Sequence, residues 1–248
     1  KDMKNLSIII PTFNDQNTIK GKISFLLKFM KKIKVNYEVI LINDGSTDNT
    51  KLLIKHFLKK KNFYILNNKY NKGKSYSIRK GIKKSKYNHI ILIDSDLPYF
   101  SKFQTVIKLL KKKYDFVFIN RRHKKSKIIK KDLNLYGLLR FILGYMISLF
   151  LKITIKLDAN NIDTQAGLKG FKKIKGLKSH RFISNKFFLD IELIYLYSKL
   201  SKKIISLPVS YNISKSSTIN IFNLKKNFQL LFELYKVIIS ITSEKKLS

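Results

Sequence analysis

Short apolar runs alternate with longer, lysine-studded segments through the first half of the chain. The runs LSIII (6–10), YEVILI (37–42), FYIL (63–66), HIILI (89–93) and DFVFI (115–119) are rich in isoleucine, valine and aromatic residues. Each is apolar at nearly every position, the pattern of a strand covered on both faces. Between them, 17–34, 48–61, 74–86 and 101–113 carry apolar residues at helical spacing with lysines on the other side. Strand and helix in alternation predict an α/β fold with a mainly parallel sheet, right-handed crossovers and flanking helices. Open sheets of this kind bind ligands beyond the carboxyl ends of their strands.

The second half breaks this rhythm. Residues 133–157, LNLYGLLRFILGYMISLFLKITIKL, form an apolar stretch interrupted by Arg140, Ser148, Lys152 and Lys156. A spanning helix needs about 20 mostly apolar residues, and the longest uncharged piece, 141–151, is much shorter. The polar positions recur at helical spacing as a narrow cationic stripe, which predicts a helix lying in a membrane interface, with a buried core or dimer helix as the alternative. Beyond it come DTQAGLKGF (163–171), a helix over 186–200, a strand over 203–211 and a last helix near 221–242. In that helix Lys225, Lys226, Gln229, Glu233, Lys236 and Ser240 mark the polar side of an amphipathic pattern. No proline- or glycine-rich linker intervenes, so residues 1–215 are expected to form one domain and 216–248 an amphipathic C-terminal helix, facing a membrane or a second copy in a homo-oligomer.

Charge adds a partner class. The chain of 248 residues has 52 Lys and Arg against 15 Asp and Glu, a formal net charge of +37. Basic clusters at 59–61, 111–113 and 121–131 favour polyanions: nucleotide phosphates, an anionic bilayer leaflet or nucleic acid. Nucleic acid is the weakest of these, because the basic residues form no helix-turn-helix or aromatic RNA-binding pattern and clustered aspartates repel phosphate. The absence of cysteine excludes disulfides and thiol catalysis, and the scattered His56, His89, His123 and His180 have no zinc spacing. The opening KDMKNLSIIIPTFND has too short an apolar run for a signal peptide.

Carboxylates are scarce in this chain, yet IPTFND, INDGSTD and IDSD each place them where a strand ends. Asp44, Asp94 and Asp96 are therefore expected to share one cleft. Asp94 and Asp96, two residues apart on extended chain, project to the same side. Such a pair repels unless a proton or cation intervenes. A divalent ion completed by a substrate diphosphate resolves the repulsion, whereas strand ending and helix capping is the structural alternative. NKGKSYSIRKG (71–81) puts Lys74 and Arg79 in the opening turns of a helix after a glycine-bearing loop, an arrangement suited to phosphate. It lacks the spacing of a P-loop.

These motifs, with DFVFINRR, DTQAGLKGF and FLDIELIYL, resemble in order and spacing the family-2 inverting glycosyltransferases with the A-type fold. Within that family they are most similar to the polyprenyl-phosphate glycosyltransferases of the dolichyl-phosphate beta-glucosyltransferase type. The resemblance covers roughly 6–215. It implies a hexosyl transfer from a nucleoside-diphosphate sugar, UDP-glucose foremost, to a polyprenyl phosphate, on the cytoplasmic face of a membrane by a peripheral enzyme. A cell-surface glycan or protein acceptor is the alternative within the family.

The resemblance also implies site residues. Pro11, Thr12 and Asp44 line the base and ribose pocket, and Lys74 and Ser95 lie on the nucleotide-sugar side. Asp94 and Asp96 match the family's paired aspartates that hold Mg2+ or Mn2+, Asp96 directly and Asp94 nearer the ribose or sugar. Arg79 and Arg121 match arginines near phosphates, and share the catalytic roles with the aspartate pair. With Arg121, Asp163, Thr164, Gln165 and Lys169 flank the sugar and acceptor. The chain departs from the pattern at Asn43, where the family has an aspartate, at Asp15 for a glutamate, at Ala166 for a cysteine and at Ile119–Asn120 for Gly-Ser. The closing segment SYNISKSST has Tyr211 and no tryptophan.

Overall fold

The computed structural model describes residues 4–131, 148, 163, 165–213 and 224–246. The expected interfacial helix at 133–157 lies outside the described residues apart from Ser148, as does Thr164. Nine strands are described: β1 (Asn5–Thr12), β2 (Asn36–Asn43), β3 (Phe63–Asn67), β4 (His89–Ile93), β5 (Phe116–Ile119), β6 (Lys127–Lys131), β7 (Leu168–Lys172), β8 (Ile204–Leu207) and β9 (Ser210–Ile213). The helices are α1 (Ile19–Lys31), α2 (Thr50–Lys55), α3 (Lys74–Lys84), α4 (Phe103–Lys111), α5 (Leu189–Lys199) and α6 (Leu224–Lys246).

The main sheet runs β3-β2-β1-β4-β7-β5-β8, and only β7 is antiparallel to its neighbours. Its near-continuous apolar strands are explained by two core layers. Ile8, Ile10, Val39, Leu41, Ile91 and Ile93 point to one face, against Ile23, Leu26 and Met30 of α1 and Phe103, Val106 and Leu110 of α4. Ile9, Ile40, Ile42, Ile90 and Leu92 point to the other, against Ile78 and Ile82 of α3, the apolar side of α5, and Leu234, Val237 and Ile241 of α6. Alternate residues of every central strand are thus buried on opposite faces. Helix α3 comes so close to β1 that a Cβ at Gly81 would lie 2.5 Å from Ile9 Cγ2.

Two local expectations are corrected, and two strands form where the pattern predicted none. The apolar run over 203–211 is two strands rather than one: β8 extends the main sheet and ends before Pro208, which has no N–H for a ladder. β9 leaves to pair with β6 in a separate parallel pair. β6 itself lies in the basic run 121–131, which reads as surface charge. The segment 163–171 supplies β7, the strand inserted between β4 and β5. The helix expected over 48–61 is shorter, ending at Lys55 and tightening into a 3-10 turn over His56–Lys59.

Candidate functional site

The parallel strands β1, β2 and β4 end on one rim, and the polar residues that follow them are linked there. Asp44 follows β2 and is 3% exposed. Its carboxylate accepts from Asn68 Nδ2 at 2.7 Å and from the backbone N–H groups of Lys72 at 3.0 Å and Gly73 at 2.8 Å. One buried charge is thus satisfied by holding the loop that starts α3. Gly73 takes a φ of 101°, and a Cβ there would lie 2.5 Å from the Asn185 carbonyl oxygen. The next residue, Lys74, reaches across to β4: its Nζ sits 2.7 Å from both oxygens of Asp94. Residues 72–74 therefore join Asp44 to Asp94.

Asn43 is explained by its neighbours. Its Nδ2 donates to Asn67 Oδ1 at 3.0 Å while its Oδ1 accepts from the Ser46 N–H at 3.1 Å. A carboxylate in its place would face Asn67 Oδ1 with no donor to offer. Thr12, paired in register with Asn43, is buried, and its Oγ1 has no hydrogen-bond partner among the described residues. Pro11 is buried beside it at the end of β1.

Asp94 and Asp96 differ in environment. Asp94 is partly buried, anchored by Lys74 and by its own N–H to the Gly167 carbonyl at 3.0 Å. Asp96 is exposed, with no ion pair among the described residues. Partial withdrawal from water, and then the Asp94 charge, raise its carboxyl above the usual carboxylate range. Lys74 is pushed down by burial, but Asp94 and Asp190 outweigh this and hold it above the ordinary lysine value. Leu97 and Tyr99, either side of Pro98, adopt φ of 54° and 56°, so the turn carrying the aspartates is strained at two bulky residues.

A second cluster lies across β7. The Arg121 guanidinium clasps Asp163, with Nε to Oδ2 at 2.5 Å and Nη2 to Oδ1 at 2.8 Å, and the Arg121 N–H adds a third bond at 3.0 Å. Burial would raise the Asp163 carboxyl, but Arg121 outweighs it and brings it below the ordinary range. Gln165 donates from its N–H to Asp163 and from Nε2 to the Phe187 carbonyl. Lys169 turns inward: it is buried, 3.1 Å from Asp190 Oδ2 and 2.5 Å from the Ala166 carbonyl. Gly167, next to Ala166, packs so tightly that a Cβ would collide with the Asp94 carboxylate.

The rim thus brings Asp44, Lys74, Asp94 and Asp96 together. Arg79 does not join them. Its guanidinium donates to the Phe182 carbonyl at 2.7 Å and to Asn185 Oδ1, beside a separate hollow of about 430 Å³ that Tyr76, Lys80, His180 and Arg181 also line. Asp190 went unnoticed in the sequence, although an acid inside the apolar run 187–197 was a usable signal. Asn68 gave no such signal, because its partner Asp44 is 24 positions away.

A seven-stranded, mainly parallel sheet flanked by helices, with acidic residues following its central strands, is the architecture of the A-type glycosyltransferase fold. Residues 7–166 match the model of the family described as "Glycosyl transferase family 2". The chain belongs to that family. It is 27% identical over 233 residues to the dolichyl-phosphate beta-glucosyltransferase of Dictyostelium discoideum, an alignment covering 88% of this chain and 69% of that one. It is 30% identical over 107 residues to the poly-beta-1,6-N-acetyl-D-glucosamine synthase of Staphylococcus aureus, covering 40% of this chain and 25% of the synthase. Among solved structures, glucosyl-3-phosphoglycerate synthase from Mycobacterium tuberculosis in complex with UDP superposes with a TM-score of 0.65 at 13% identity, over 96% of this chain and 80% of that one. Mannosyl-3-phosphoglycerate synthase from Rubrobacter xylanophilus gives 0.65 at 12% identity, over 98% and 75%. These structural likenesses establish the fold.

Proposed function

We propose that this glycosyltransferase moves a hexose, glucose foremost, from a UDP-sugar to a polyprenyl phosphate at a membrane surface. The observation that carries the reading is the Lys74–Asp94 contact beside the exposed Asp96, at the rim where β1, β2 and β4 end. The likeness to the Dictyostelium dolichyl-phosphate enzyme over most of the chain supports the acceptor, and M. tuberculosis synthase complexes with UDP and Mn2+ support the donor and ion.

The residues present fit a divalent ion in kind. Asp96 offers a hard oxygen ligand whose proton affinity is raised by partial burial and then by the neighbouring carboxylate, a repulsion that a cation relieves. Among the described residues no group of three or more acids or histidines could hold a metal alone, so diphosphate oxygens would complete the shell. Asp96 would bind the ion directly and Asp94 would support it. Bound there, Mg2+ or Mn2+ would offset the charge that grows on the leaving nucleoside diphosphate.

The chain's own residues then have distinct tasks. Asp44 orders the 72–73 backbone, and Thr12 Oγ1 and Pro11 border the space for base and ribose. Ser95 sits between the two carboxylates on the sugar side. Lys74 presents an ammonium to the diphosphate. Arg121, fixed by Asp163, meets the acceptor phosphate, with Gln165 alongside. Lys169 and Arg79 act through the segments they hold. The acceptor oxygen is already anionic near neutral pH, so it needs no dedicated general base. Positioning it in line gives a single displacement with inversion.

No helix among the described residues is long and apolar enough to cross a membrane, consistent with peripheral attachment. The test is incubation of the full chain with radiolabelled UDP-glucose, Mg2+ and a polyprenyl phosphate. Label entering the solvent-extractable lipid supports the reading. Label entering only glycan or protein refutes the acceptor.

A further inference from the structure

Helix α6 has two apolar faces, and among the described residues only one is packed into the core. Leu234, Val237 and Ile241 are 5% exposed or less and pack into the core layer shared with α3 and α5. Phe228, Leu231, Phe232, Tyr235 and Ile239 lie on another side of the same helix, at intervals of three and four residues, and are 46–71% exposed. An exposed apolar stripe of this extent marks an interaction surface. Glu233, the only acid among the side chains described in α6, is turned away from the stripe into the 184–186 backbone, where it accepts from Asn185 at 2.6 Å and Lys186 at 2.7 Å. The stripe is instead edged by a cation: Lys236 Nζ lies 4.4 Å from the centre of the Phe232 ring.

We propose that this outward face of α6 seats on an anionic lipid bilayer, with Phe228, Leu231, Phe232, Tyr235 and Ile239 entering the headgroup boundary and Lys236 meeting lipid phosphate. Aromatic and aliphatic side chains on one arc with a lysine at its border are the composition of a helix lying in an interface. Charge selects the occupant. A chain of net charge +37 is attracted to an anionic leaflet and repelled by a second copy of itself. The helix is also coupled to the rim. Glu233 holds residues 184–186, whose Asn185 and Lys186 carbonyls accept from the N–H groups of Tyr76 and Ser75 at 2.9 Å, in the first turn of the helix that begins at Lys74. Seating α6 therefore fixes the carboxylate rim relative to the membrane plane. The inference rests on the lipid-phosphate reading for its purpose alone, and its test is read without sugar transfer.

The test is sedimentation of the full chain with vesicles of phosphatidylcholine alone and of phosphatidylcholine mixed with phosphatidylglycerol. The native chain is expected to bind the anionic vesicles preferentially, and the triple variant Phe228→Ser/Phe232→Ser/Tyr235→Ser to bind them at least about a hundredfold more weakly. Lys236→Glu, which disturbs no packing in the core, is expected to lose about fivefold or more. It keeps the idea testable if the triple variant does not fold. Equal binding to neutral and anionic vesicles, or triple-variant and Lys236→Glu binding equal to native, overturns the proposal. So does a native chain that ignores vesicles but dimerises through this face. A triple variant whose melting temperature falls while its vesicle binding stays native, as expected if another part of the chain covers the stripe, overturns it as well. Failure of lipid labelling with intact vesicle binding would remove the acceptor reading and leave this inference standing.

Discussion

Lys169→Met should destabilise the protein severely, and a second substitution should repair it. The Lys169 and Asp190 side chains are 4% and 7% exposed and their charged atoms are 3.1 Å apart. Methionine keeps most of the lysine volume but leaves the Asp190 carboxyl, which burial already raises above the ordinary range, without its cation and the Ala166 carbonyl without its donor. Breaking one side of a buried ion pair costs about 3–5 kcal/mol, a large share of a typical stability of about 5–15 kcal/mol. Lys74 also faces Asp190 and places the loss toward the lower end. Lys169→Met/Asp190→Leu removes both charges and should return to within about 1–2 kcal/mol of native. Urea denaturation followed by circular dichroism gives both values, and the difference between them is the coupling energy. A single variant within about 1 kcal/mol of native, or a double variant no better than the single, would refute the inward, structural role of Lys169.

Three further outcomes follow, two from the rim and one from the opposite end of the sheet. Asp96→Ala should abolish sugar transfer while leaving the melting temperature unchanged, because Asp96 is exposed and has no ion pair among the described residues; native turnover in this variant would remove its ion-binding role. Gly167→Ala should lower kcat more than stability, since the new Cβ must displace the Asp94 carboxylate; unchanged kinetics would show that Asp94 has room to move without consequence. Burial, and then Lys178, push the Lys173 amine down to about 8 from 10.5. The unfolded chain then binds that proton more tightly than the folded one, so the penalty is full below pH 8 and fades as pH rises to 10.5. Stability measured against pH should therefore shift in favour of native over Lys173→Met across that window, and a constant difference would contradict it.

The parts of the fold legible in the sequence are those whose burial is symmetric. β1, β2, β3, β4 and β5 showed as apolar runs because both of their faces meet helices. β7 did not, because Gly170 must be bare where Val106 packs, a Cβ there lying 2.5 Å from Val106 Cγ1, and Lys169 is paired with an acid from a distant helix. β6 stayed hidden for a similar reason: its residues are mostly lysines, and its partner β9 is the second half of an apolar run that breaks at Pro208. In the site, strand ends located Asp44, Asp94 and Asp96, but not how they are held. The bonds from Asp44 to 68–73 and from Lys74 to Asp94 join residues some 20 or more positions apart, and periodicity carries no information about such pairs. Arg79 sat in a phosphate-like context, yet a helix turns most of its first residues away from one another, and its guanidinium reaches the 182–185 segment instead.

If these strand ends grip a sugar nucleotide's diphosphate through a cation on Asp96, as proposed, UDP affinity depends on that ion. Isothermal titration of UDP into the full chain, with Mn2+ and after chelation, measures this directly for native protein and for Asp96→Ala. Native affinity is expected to depend on the ion, and Asp96→Ala with Mn2+ to bind at least about tenfold more weakly than native. Equal UDP affinity with and without the ion, or equal affinity in the variant, would contradict it.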